Sequence, residues 1–265
     1  MRIIRRAVEI GNGAAVYVPR EYRGRQVLVV LPEGIGEIRK RALAKLVDFM
    51  PNVLGVYLYG SYARGESTNE SDIDLLIIVQ KKDEKIKALF DDIDTRVLTL
   101  DGIKKSIKDF PVPVMIMLRE AEAFLNPLLL EELKKEKPGL KGLKWHFEDI
   151  KSIIKVIEKF IEVDDKDIDA SHIYSLMMRA RVLYMIECLL KNAPFSNGGV
   201  KKKLSKYGLS GKNFDGYYKI YQRIRDDEAA EGKINKEEIE NLIGIIKKYE
   251  GDMENEAKKK AGKGD

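Results

Sequence analysis

The sequence is poor in the residues that form covalent cross-links and soft-metal sites. Only one of its 265 residues is a cysteine, Cys188, which excludes an internal disulfide and any multi-cysteine metal site. Its two histidines, His146 and His172, are too few to build a zinc site unless carboxylates complete it. Disulfide-stabilised scaffolds and cysteine-rich zinc domains are therefore excluded as classes.

Long apolar runs are also missing. Stretches such as residues 75–79 are far too short to cross a bilayer. Residues 1–6 are basic but lack the following apolar stretch that signal peptides carry, so we expect no signal peptide. These absences make a cytoplasmic protein that does not bind membranes the default expectation.

Neither sign of charge dominates. The chain has 48 basic and 43 acidic residues and a net charge of +5, which permits contact with nucleic acid or phosphate without arguing for it. Glutamine is scarce among many Lys, Glu and Arg residues, which favours an archaeal-like thermophile as the source. The hydrophobic fraction of 44% is enough for one large domain or two ordinary ones.

Residues 1–34 show the pattern of a small β-hairpin module. Short strands are predicted at residues 2–10, 14–18 and 26–31, separated by turn residues. A segment of about 33 residues cannot bury much core alone. The module must therefore pair with another copy or pack on the rest of the chain.

Residues 35–137 alternate between helical and strand-like patterns, which indicates an α/β (α+β) domain. Apolar residues at helical spacing predict helices at residues 37–50, 83–91, 102–108 and 128–135. Apolar runs predict strands at residues 53–59, 72–79, 93–100 and 112–118.

The pattern becomes purely helical over residues 138–250, after a linker rich in Lys, Pro and Gly at residues 134–144. Apolar residues at helical spacing and the breaks between them predict an all-α bundle of about five helices. Residues 251–265 are rich in Lys, Glu and Gly and are predicted to be a flexible tail.

One stretch has the features of a phosphate-binding turn. Gly60 follows a predicted strand and would let the backbone turn tightly against a phosphate. Ser61 and the amides after it would open a helix, and a helix N-terminus suits anionic oxygens. Ser61 adds a hydroxyl and Arg64 a positive charge, and Gly65 closes the stretch.

Two acids follow at a spacing that suits a metal ion. Asp72 and Asp74 come directly after Ser71, two residues apart on a predicted strand. Because side chains alternate along a strand, both carboxylates should project from one face, while Ile73 and Leu75 point to the core. Two carboxylates beside a phosphate-binding turn can hold Mg²⁺. Two such ions can clamp the attacking and leaving oxygens of an in-line displacement.

Residues 60–65 and 71–76 together resemble the signature of the DNA polymerase β-type nucleotidyltransferase superfamily, in particular its minimal prokaryotic members. The resemblance covers roughly residues 37–135 and implies a mixed sheet with flanking helices. It implies two Mg²⁺ ions and transfer of a nucleoside monophosphate from an NTP, with ATP expected, to an acceptor hydroxyl. The residues expected to contact the nucleotide are Gly60, Ser61, Arg64, Gly65 and Ser71, and those expected to bind metal are Asp72 and Asp74.

The superfamily pattern includes a third carboxylate on a later strand, which binds metal and helps to deprotonate the acceptor. Our candidate is Asp94, at the start of the predicted strand 93–100. The alternative is that Asp94 is an ordinary helix-end acid in the cluster at residues 91–94. The later predicted strand 112–118 carries no acid, so a third ligand that belonged there would have been lost.

Residues 9–19 and 27–32 resemble swapped-hairpin, AbrB-like domains, which implies a homodimer formed by strand exchange and, in many members, DNA binding. The arginines of residues 1–33 that would contact DNA phosphates are Arg2, Arg5, Arg6, Arg20, Arg23 and Arg25. The alternative is an arm that only packs or dimerises.

The helical region is loosely similar to helical domains attached to nucleotidyltransferases, including the HEPN group. HEPN ribonucleases carry an Arg followed closely by a His, and neither His146 nor His172 follows an Arg in this way. We therefore expect no ribonuclease activity and expect this region to shape the acceptor cleft.

The sequence is consistent with two functions. The first is an Mg²⁺-dependent nucleotidyltransferase whose acceptor is a protein, an RNA or a small molecule. The second is a catalytically weak protein of the same fold that acts as an antitoxin or a DNA-binding regulator. The distance of Asp94 from Asp72 and Asp74 distinguishes them, because a remote Asp94 would favour the second.

Overall fold

A computed structural model describes residues 5, 7–29, 33–67, 71–136, 140–163, 169–226, 228 and 234–261. Its first elements form a small hairpin, in which strand β1 (Val8–Ile10) pairs with the antiparallel strand β2 (Gly13–Ala15). Gly11 makes the turn between them at a φ of +55°, a conformation that glycine adopts without strain.

The third strand predicted for residues 1–34, at residues 26–31, is not formed in its described part, residues 26–29. Residues 26–29 are irregular, while residues 30–32, like residues 1–4 and 6, lie outside the described part. Leu28 is 90% exposed. A strand needs a partner for its backbone groups, and none of the described residues provides one for residues 26–29. No residue described before Ile35 joins a hydrophobic core.

A four-stranded mixed sheet forms the centre of the next region. Its strands are β3 (Val53–Tyr59), β4 (Asp74–Val79), β5 (Asp94–Thr99) and β6 (Glu122–Leu125). They lie in the order β5-β4-β3-β6, with β4 and β5 parallel and the other pairs antiparallel. The mixed sheet that the resemblance implies is therefore confirmed, and β3, β4 and β5 lie within strands predicted from the sequence.

Different helices pack on the two faces of this sheet. The helices on the first face are α1 (Ile35–Lys45) and α3 (Glu84–Ala88), and those on the second face are α4 (Leu100–Asp109), α5 (Pro111–Glu120) and α6 (Pro127–Lys135). Leu75 and Ile77 are buried on the first face, and Leu76 and Ile78 on the second. Because side chains alternate along a strand, a residue's position fixes its face.

The first helix of the sheet region is shorter than predicted. The pattern predicts a helix over residues 37–50, but α1 ends at Lys45 and a 3₁₀ turn, Val47–Asn52, follows. Pro51 lies in that turn. A proline in an α-helix removes a backbone hydrogen bond and clashes with the preceding turn, so the α-helix could not have continued through it.

The strand predicted at residues 112–118 is wrong, because these residues belong to α5. Pro111 occupies the first turn of this helix, where its missing N–H costs nothing. Ile116 of α5 packs in the core of the helical region, whereas Leu118 packs on the second face of the sheet. An apolar run that is buried on both sides lacks the periodicity that separates a helix from a strand. The strand β6, which the sequence did not indicate, follows directly.

Beyond residue 139 the described chain is helical. Its helices are α7 (Leu140–Val163), α8 (Ala170–Lys191), α9 (Asn197–Lys206), α10 (Gly211–Arg225) and α11 (Lys236–Ala261). The predicted helical region is therefore confirmed, and its helices share one core with part of α5. The linker expected at residues 134–144 is shorter than predicted, because α6 ends at Lys135 and Leu143 of α7 is buried.

The last helix runs through most of the segment that was expected to be a flexible tail, residues 251–265. Met253 is buried in the core, and Glu254 forms ion pairs with Lys151 at 2.7 Å and with Lys258 at 3.1 Å. Met253 and the pair with Lys151 hold the helix against its neighbours, and the pair with Lys258 lies within the helix, which continues to Ala261; residues 262–265 lie outside the described part. None of the helices among the described residues has the length and apolar character needed to span a membrane.

Candidate active site

Three strands bring three polar side chains into one row across the sheet. Tyr59 stands opposite Asp74 in the antiparallel pairing of β3 with β4, and Asp74 stands opposite Asp94 in the parallel pairing of β4 with β5. The Asp94 N–H donates to the Ile73 carbonyl at 2.9 Å, which fixes this register. Neighbouring strands lie about 4.8 Å apart. The third acid proposed from the sequence is therefore next to Asp74, and the three residues form a cross-strand row.

This row belongs to the second face of the sheet. Asp74 is two residues before Leu76, which is buried on that face, while Ile73 and Leu75 are buried on the first. This is the arrangement that the alternation of side chains predicts. Asp72 differs from the prediction, because β4 begins only at Asp74, where its pairing with β3 begins. Asp72 lies just before the strand and is exposed.

Burial and the surrounding acids act together on Asp74. The pKa of Asp74 is raised to about 6, first by burial and then by the negative charges of Asp94, Asp72 and Glu120, while Arg96 acts in the opposite direction. A carboxyl group among other acids resists ionisation because like charges repel. The site therefore concentrates negative charge, and a divalent cation would relieve the repulsion.

The predicted phosphate-binding turn lies against this row. Gly60 begins the short helix α2 (Gly60–Ala63) with a φ of +76°, which favours glycine. A Cβ at this position would overlap the carboxylate of Asp74. Both the backbone conformation and the lack of space therefore require glycine, and the turn and the acid are in contact.

Glu120 is a site residue that the sequence did not reveal. It ends α5, and its carboxylate accepts the Gly60 N–H at 2.9 Å and an Arg64 N–H at 2.7 Å. Burial raises the pKa of Glu120, although Arg64 and the Gly60 amide oppose that shift. Because residues 112–118 were predicted to be a strand without an acid, no local signal placed a carboxylate beside Gly60.

Arg64 joins the turn to the helical region. Its guanidinium donates to Glu66 at 2.9 Å as well as to Glu120, and it lies over the ring of Phe195 at 5.5 Å from the ring centre. Glu66 in turn accepts two hydrogen bonds from Asn197, at the start of α9, both at 3.3 Å. Arg64 therefore interacts with the protein's own acids in this structure.

The other predicted nucleotide-binding residues lie on the same loop. The Ser61 carbonyl accepts the Glu66 N–H at 2.9 Å, and Gly65 has a φ of +65° between these two residues. Ser71 is half-buried immediately before Asp72, and residues 68–70 lie outside the described part. The structure thus places Gly60, beside the acids, and Ser61 on one continuous turn.

The donor set suits Mg²⁺ better than a softer metal. No group of three or more His, Cys, Asp or Glu side chains among the described residues is arranged to hold a metal ion by itself. Mg²⁺ does not require such a group, because it commonly binds through one or two carboxylates, several waters and the phosphates of its substrate. The adjacent carboxylates of Asp74 and Asp94, with Asp72 close in sequence, fit this mode of binding.

A cleft of about 400 Å³ runs along β5 beside the row. Arg96 and Thr95 line it from the strand, Lys82 and Lys87 from the segment after β4, and Ser106 from α4. The cleft begins next to Asp94 but does not include Asp72, Asp74 or Gly60 among its lining residues. This cleft therefore does not span the acids and the turn.

Comparison with known proteins finds a family model that matches the sheet region. Residues 39–165 match the family model described as "Nucleotidyltransferase domain". This match begins in α1, contains the whole four-stranded sheet and extends through α7. No curated protein sequence gives a significant match to the chain.

Solved structures resemble the chain at low sequence identity. The spectinomycin adenyltransferase AAD(9) from Enterococcus faecialis, solved with ATP and spectinomycin, has a TM-score of 0.43 and 13% identity and covers 78% of this chain and 99% of its own. A nucleotidyltransferase-like protein from Exiguobacterium sibiricum has a TM-score of 0.35 and 11% identity, with 81% and 75% covered. A toxin–antitoxin structure with AMP-PNP has a TM-score of 0.29 and 16% identity, with 46% and 98% covered.

Proposed function

We propose that this protein transfers a nucleoside monophosphate from an NTP to an acceptor hydroxyl, and the match of residues 39–165 to the nucleotidyltransferase domain model supports this. The observation that carries the proposal is the cross-strand row, in which Asp74 and Asp94 are direct neighbours and Asp74 contacts the Gly60 turn. ATP is the expected nucleotide.

The acids give this proposal its metal requirement. Asp74 and Asp94, with Asp72 beside them, would hold Mg²⁺, and two ions are expected because an in-line displacement has an attacking and a leaving oxygen. When bound, Mg²⁺ would neutralise charge on the triphosphate and on the acids. The raised pKa of Asp74, caused by burial and neighbouring acids, supports a site that is built for added positive charge.

The transfer exchanges one phosphorus–oxygen bond for another. The acceptor oxygen forms a bond to the α-phosphorus, the bond from that phosphorus to the bridging oxygen of the β-phosphate breaks, and pyrophosphate leaves. Asp94, the more exposed acid of the row, would take the acceptor's proton. Gly60 and Ser61 would hold the triphosphate, with Gly65 and Ser71 at the ends of the same loop, and Arg64 would position the turn through Glu120.

The rival function is a binding protein without turnover, such as an antitoxin or a DNA-binding regulator. A large distance between Asp94 and Asp74 would favour this rival function. The pairing of β4 with β5 makes the two acids direct neighbours and so argues against the rival. DNA binding and dimer formation by residues 1–34 remain separate proposals. The hairpin of residues 8–15 supports dimer formation, and DNA binding would use the described arginines Arg5, Arg20, Arg23 and Arg25. A gel shift at low salt and sedimentation of the full chain test them independently of nucleotide transfer.

A labelling experiment tests the proposed transfer. The protein, Mg²⁺ and each α-³²P-labelled NTP are incubated with and without bulk RNA, and label on the protein and on the RNA is measured. D74N and D94N should both lose transfer, whereas D91N, which changes an exposed acid three residues before Asp94, should retain it. Equal labelling by wild type, D74N and D94N would contradict the proposal.

The same experiment addresses the acceptor. Mass spectrometry of the labelled products distinguishes a nucleotide on the protein itself from one on RNA. If neither is labelled, small hydroxyl compounds are added to the same mixture, and a labelled small product whose formation depends on Asp74 indicates a small-molecule acceptor; labelled NMP alone indicates transfer to water. These outcomes separate the three acceptor classes without assuming any one of them.

A further inference from the structure

Two tyrosines on β3 have the same setting but different hydroxyl partners. Tyr57 and Tyr59 are two residues apart, and both are buried against the second face of the sheet. The Tyr57 hydroxyl donates to the Asn126 carbonyl at 3.0 Å. The Tyr59 hydroxyl is also buried, yet it has no hydrogen-bond partner among the described residues. Tyr59 is only 8% exposed, so bulk solvent does not explain this difference.

The unpartnered hydroxyl belongs to the candidate active site. Tyr59 is the first member of the cross-strand row and stands opposite Asp74, which stands opposite Asp94. Burial is the main cause that raises the pKa of the Tyr59 hydroxyl. The charge of Arg96 lowers this pKa, and the charges of Asp74, Asp94 and Glu120 raise it further. The buried phenol therefore lies within electrostatic reach of the acids.

A buried hydroxyl without a partner is unfavourable, and phenylalanine would fill the same space without that cost. Native structures satisfy nearly all such groups, so an exception at a ligand site calls for a partner that belongs to the bound state. A phenol can both donate and accept a hydrogen bond. Mg²⁺ keeps several waters when carboxylates bind it, and groups that contact those waters tune its affinity.

We propose that the buried hydroxyl of Tyr59, the residue paired with Asp74 across β3 and β4, binds a water molecule that is shared with the divalent cation of this site. Tyr59 is then a positioning residue, because it acts on the ion through a water rather than by direct contact. This inference rests on the proposed function, which supplies the cation. It assigns to the residue before Gly60 a role that the sequence motif did not indicate.

The two tyrosines provide a matched pair of variants. Y59F and Y57F each remove one buried hydroxyl from the same strand and face. Free Mn²⁺ is measured by electron paramagnetic resonance during titration of the full-length protein, with Mg²⁺ as competitor, and no turnover is needed. Thermal unfolding is measured in EDTA on the same samples.

We expect Y59F to weaken Mn²⁺ affinity about 10-fold, with an unchanged or higher Tm in EDTA. Y57F should show the opposite result, a lower Tm with unchanged Mn²⁺ affinity, because it loses the bond to Asn126. Equal Mn²⁺ affinity of Y59F and wild type, or equal losses in both variants, would overturn the inference.

D74N separates this inference from the proposed function. If wild type binds Mn²⁺ and D74N does not, the proposed metal site at the acids is supported. The comparison of Y59F with wild type then tests only the role of Tyr59. If wild type and D74N bind Mn²⁺ equally, the proposed metal site is wrong and the inference on Tyr59 fails with it.

Discussion

Asp74 in the sheet region and Glu187 in the helical region are both poorly exposed acids, and their surroundings are opposite. Asp74 has acids around it, namely Asp72, Asp94 and Glu120, and its pKa is raised to about 6, by burial first and by these charges next. Glu187, on α8, is 7% exposed and its carboxylate accepts from three donors. Those donors are Lys191, Lys203 and the Tyr249 hydroxyl, each at 2.6 Å.

The pKa of Glu187 shows the effect of these donors. Burial would raise it, but hydrogen bonds from Lys191, Lys203 and Tyr249 outweigh burial and the pKa is lowered. The helical region thus neutralises its own buried acid, whereas the sheet region gathers acids around Asp74. This difference is what the proposed function predicts: the row gathers negative charge for a cation, whereas the donors around Glu187 stabilise the fold.

The largest effect expected from this comparison is the loss of transfer in D74N. Removing a carboxylate that would hold the metal should lower the rate about 10³-fold or more. In EDTA the same variant should be about 1 kcal/mol more stable than wild type, because repulsion from Asp94 is relieved. Transfer assays and urea unfolding measure the two effects. A D74N protein that is both active and less stable would place Asp74 in the structural class.

Glu187→Gln should show the reverse combination. It leaves the poorly exposed Lys203 without its charged partner and Lys191 with Glu256 alone, and the free energy of unfolding should fall by about 3 kcal/mol. Nucleotide transfer should stay within about twofold of wild type at a temperature where the variant is folded. Glu256→Gln is the control, because Glu256 contacts Lys191 at 3.7 Å and is 29% exposed, so its loss should cost less than about 0.5 kcal/mol.

The pH dependence of stability should also separate the two acids. The folded protein holds the Asp74 proton to a pKa of about 6, above the ordinary aspartate value of 3.8, so stability falls as the pH rises between these values. The part that Asp74 contributes should be about 1–2 kcal/mol after allowance for solvent screening. For Glu187 the sign is opposite, because its lowered pKa gives stability that is lost as the pH falls.

Urea unfolding in EDTA at several pH values between 4 and 7 measures this effect. Subtracting the D74N curve from the wild-type curve isolates the contribution of Asp74 from that of the other carboxylates. If the free energy of unfolding changes with pH in the same way for both proteins, Asp74 ionises normally in the folded state.

The smallest expected effect concerns one donor in the Glu187 cluster. Tyr249→Phe removes a hydrogen bond to a charged group and should cost about 1 kcal/mol of stability. Tyr217→Phe is a matched change, because the buried Tyr217 hydroxyl has no partner among the described residues and its removal should cost nothing. Thermal unfolding of both variants tests whether the donors of Glu187 are what makes its cluster stabilising. Equal losses would show that packing, and not hydrogen bonding, dominates there.

Much of the sheet region could be predicted because its information is local. Alternation around Asp74 fixes its face, and the glycine before Ser61 marks a turn whose φ and lack of space both exclude a side chain. The closeness of Asp94 to Asp74 was harder to predict. It depends on the register between β4 and β5, and neither segment's sequence determines that register by itself.

Other features depend on tertiary contacts. The apolar residues of α5 are buried against both the sheet and the helical bundle, so no alternation or helical stripe distinguishes them. Glu120 meets Gly60 only because this helix ends there, 60 residues away in the chain. In residues 26–29 the β-like pattern is present, but the described residues offer no strand to pair with, so the pattern alone forms no strand.

The bonds between Glu66 and Asn197 set a condition on any attempt to recombine this protein. A chimera that kept the sheet but took its helices from another protein would lose the Asn197 amide that contacts Glu66, one of the two acids bound by Arg64. A graft would keep both bonds to Glu66 only if the donor helices carried an amide side chain at the start of their third helix, because the backbone N–H supplies just one of them. The helical region is therefore not an interchangeable attachment, since its sequence and that of the loop after Gly60 have to change together.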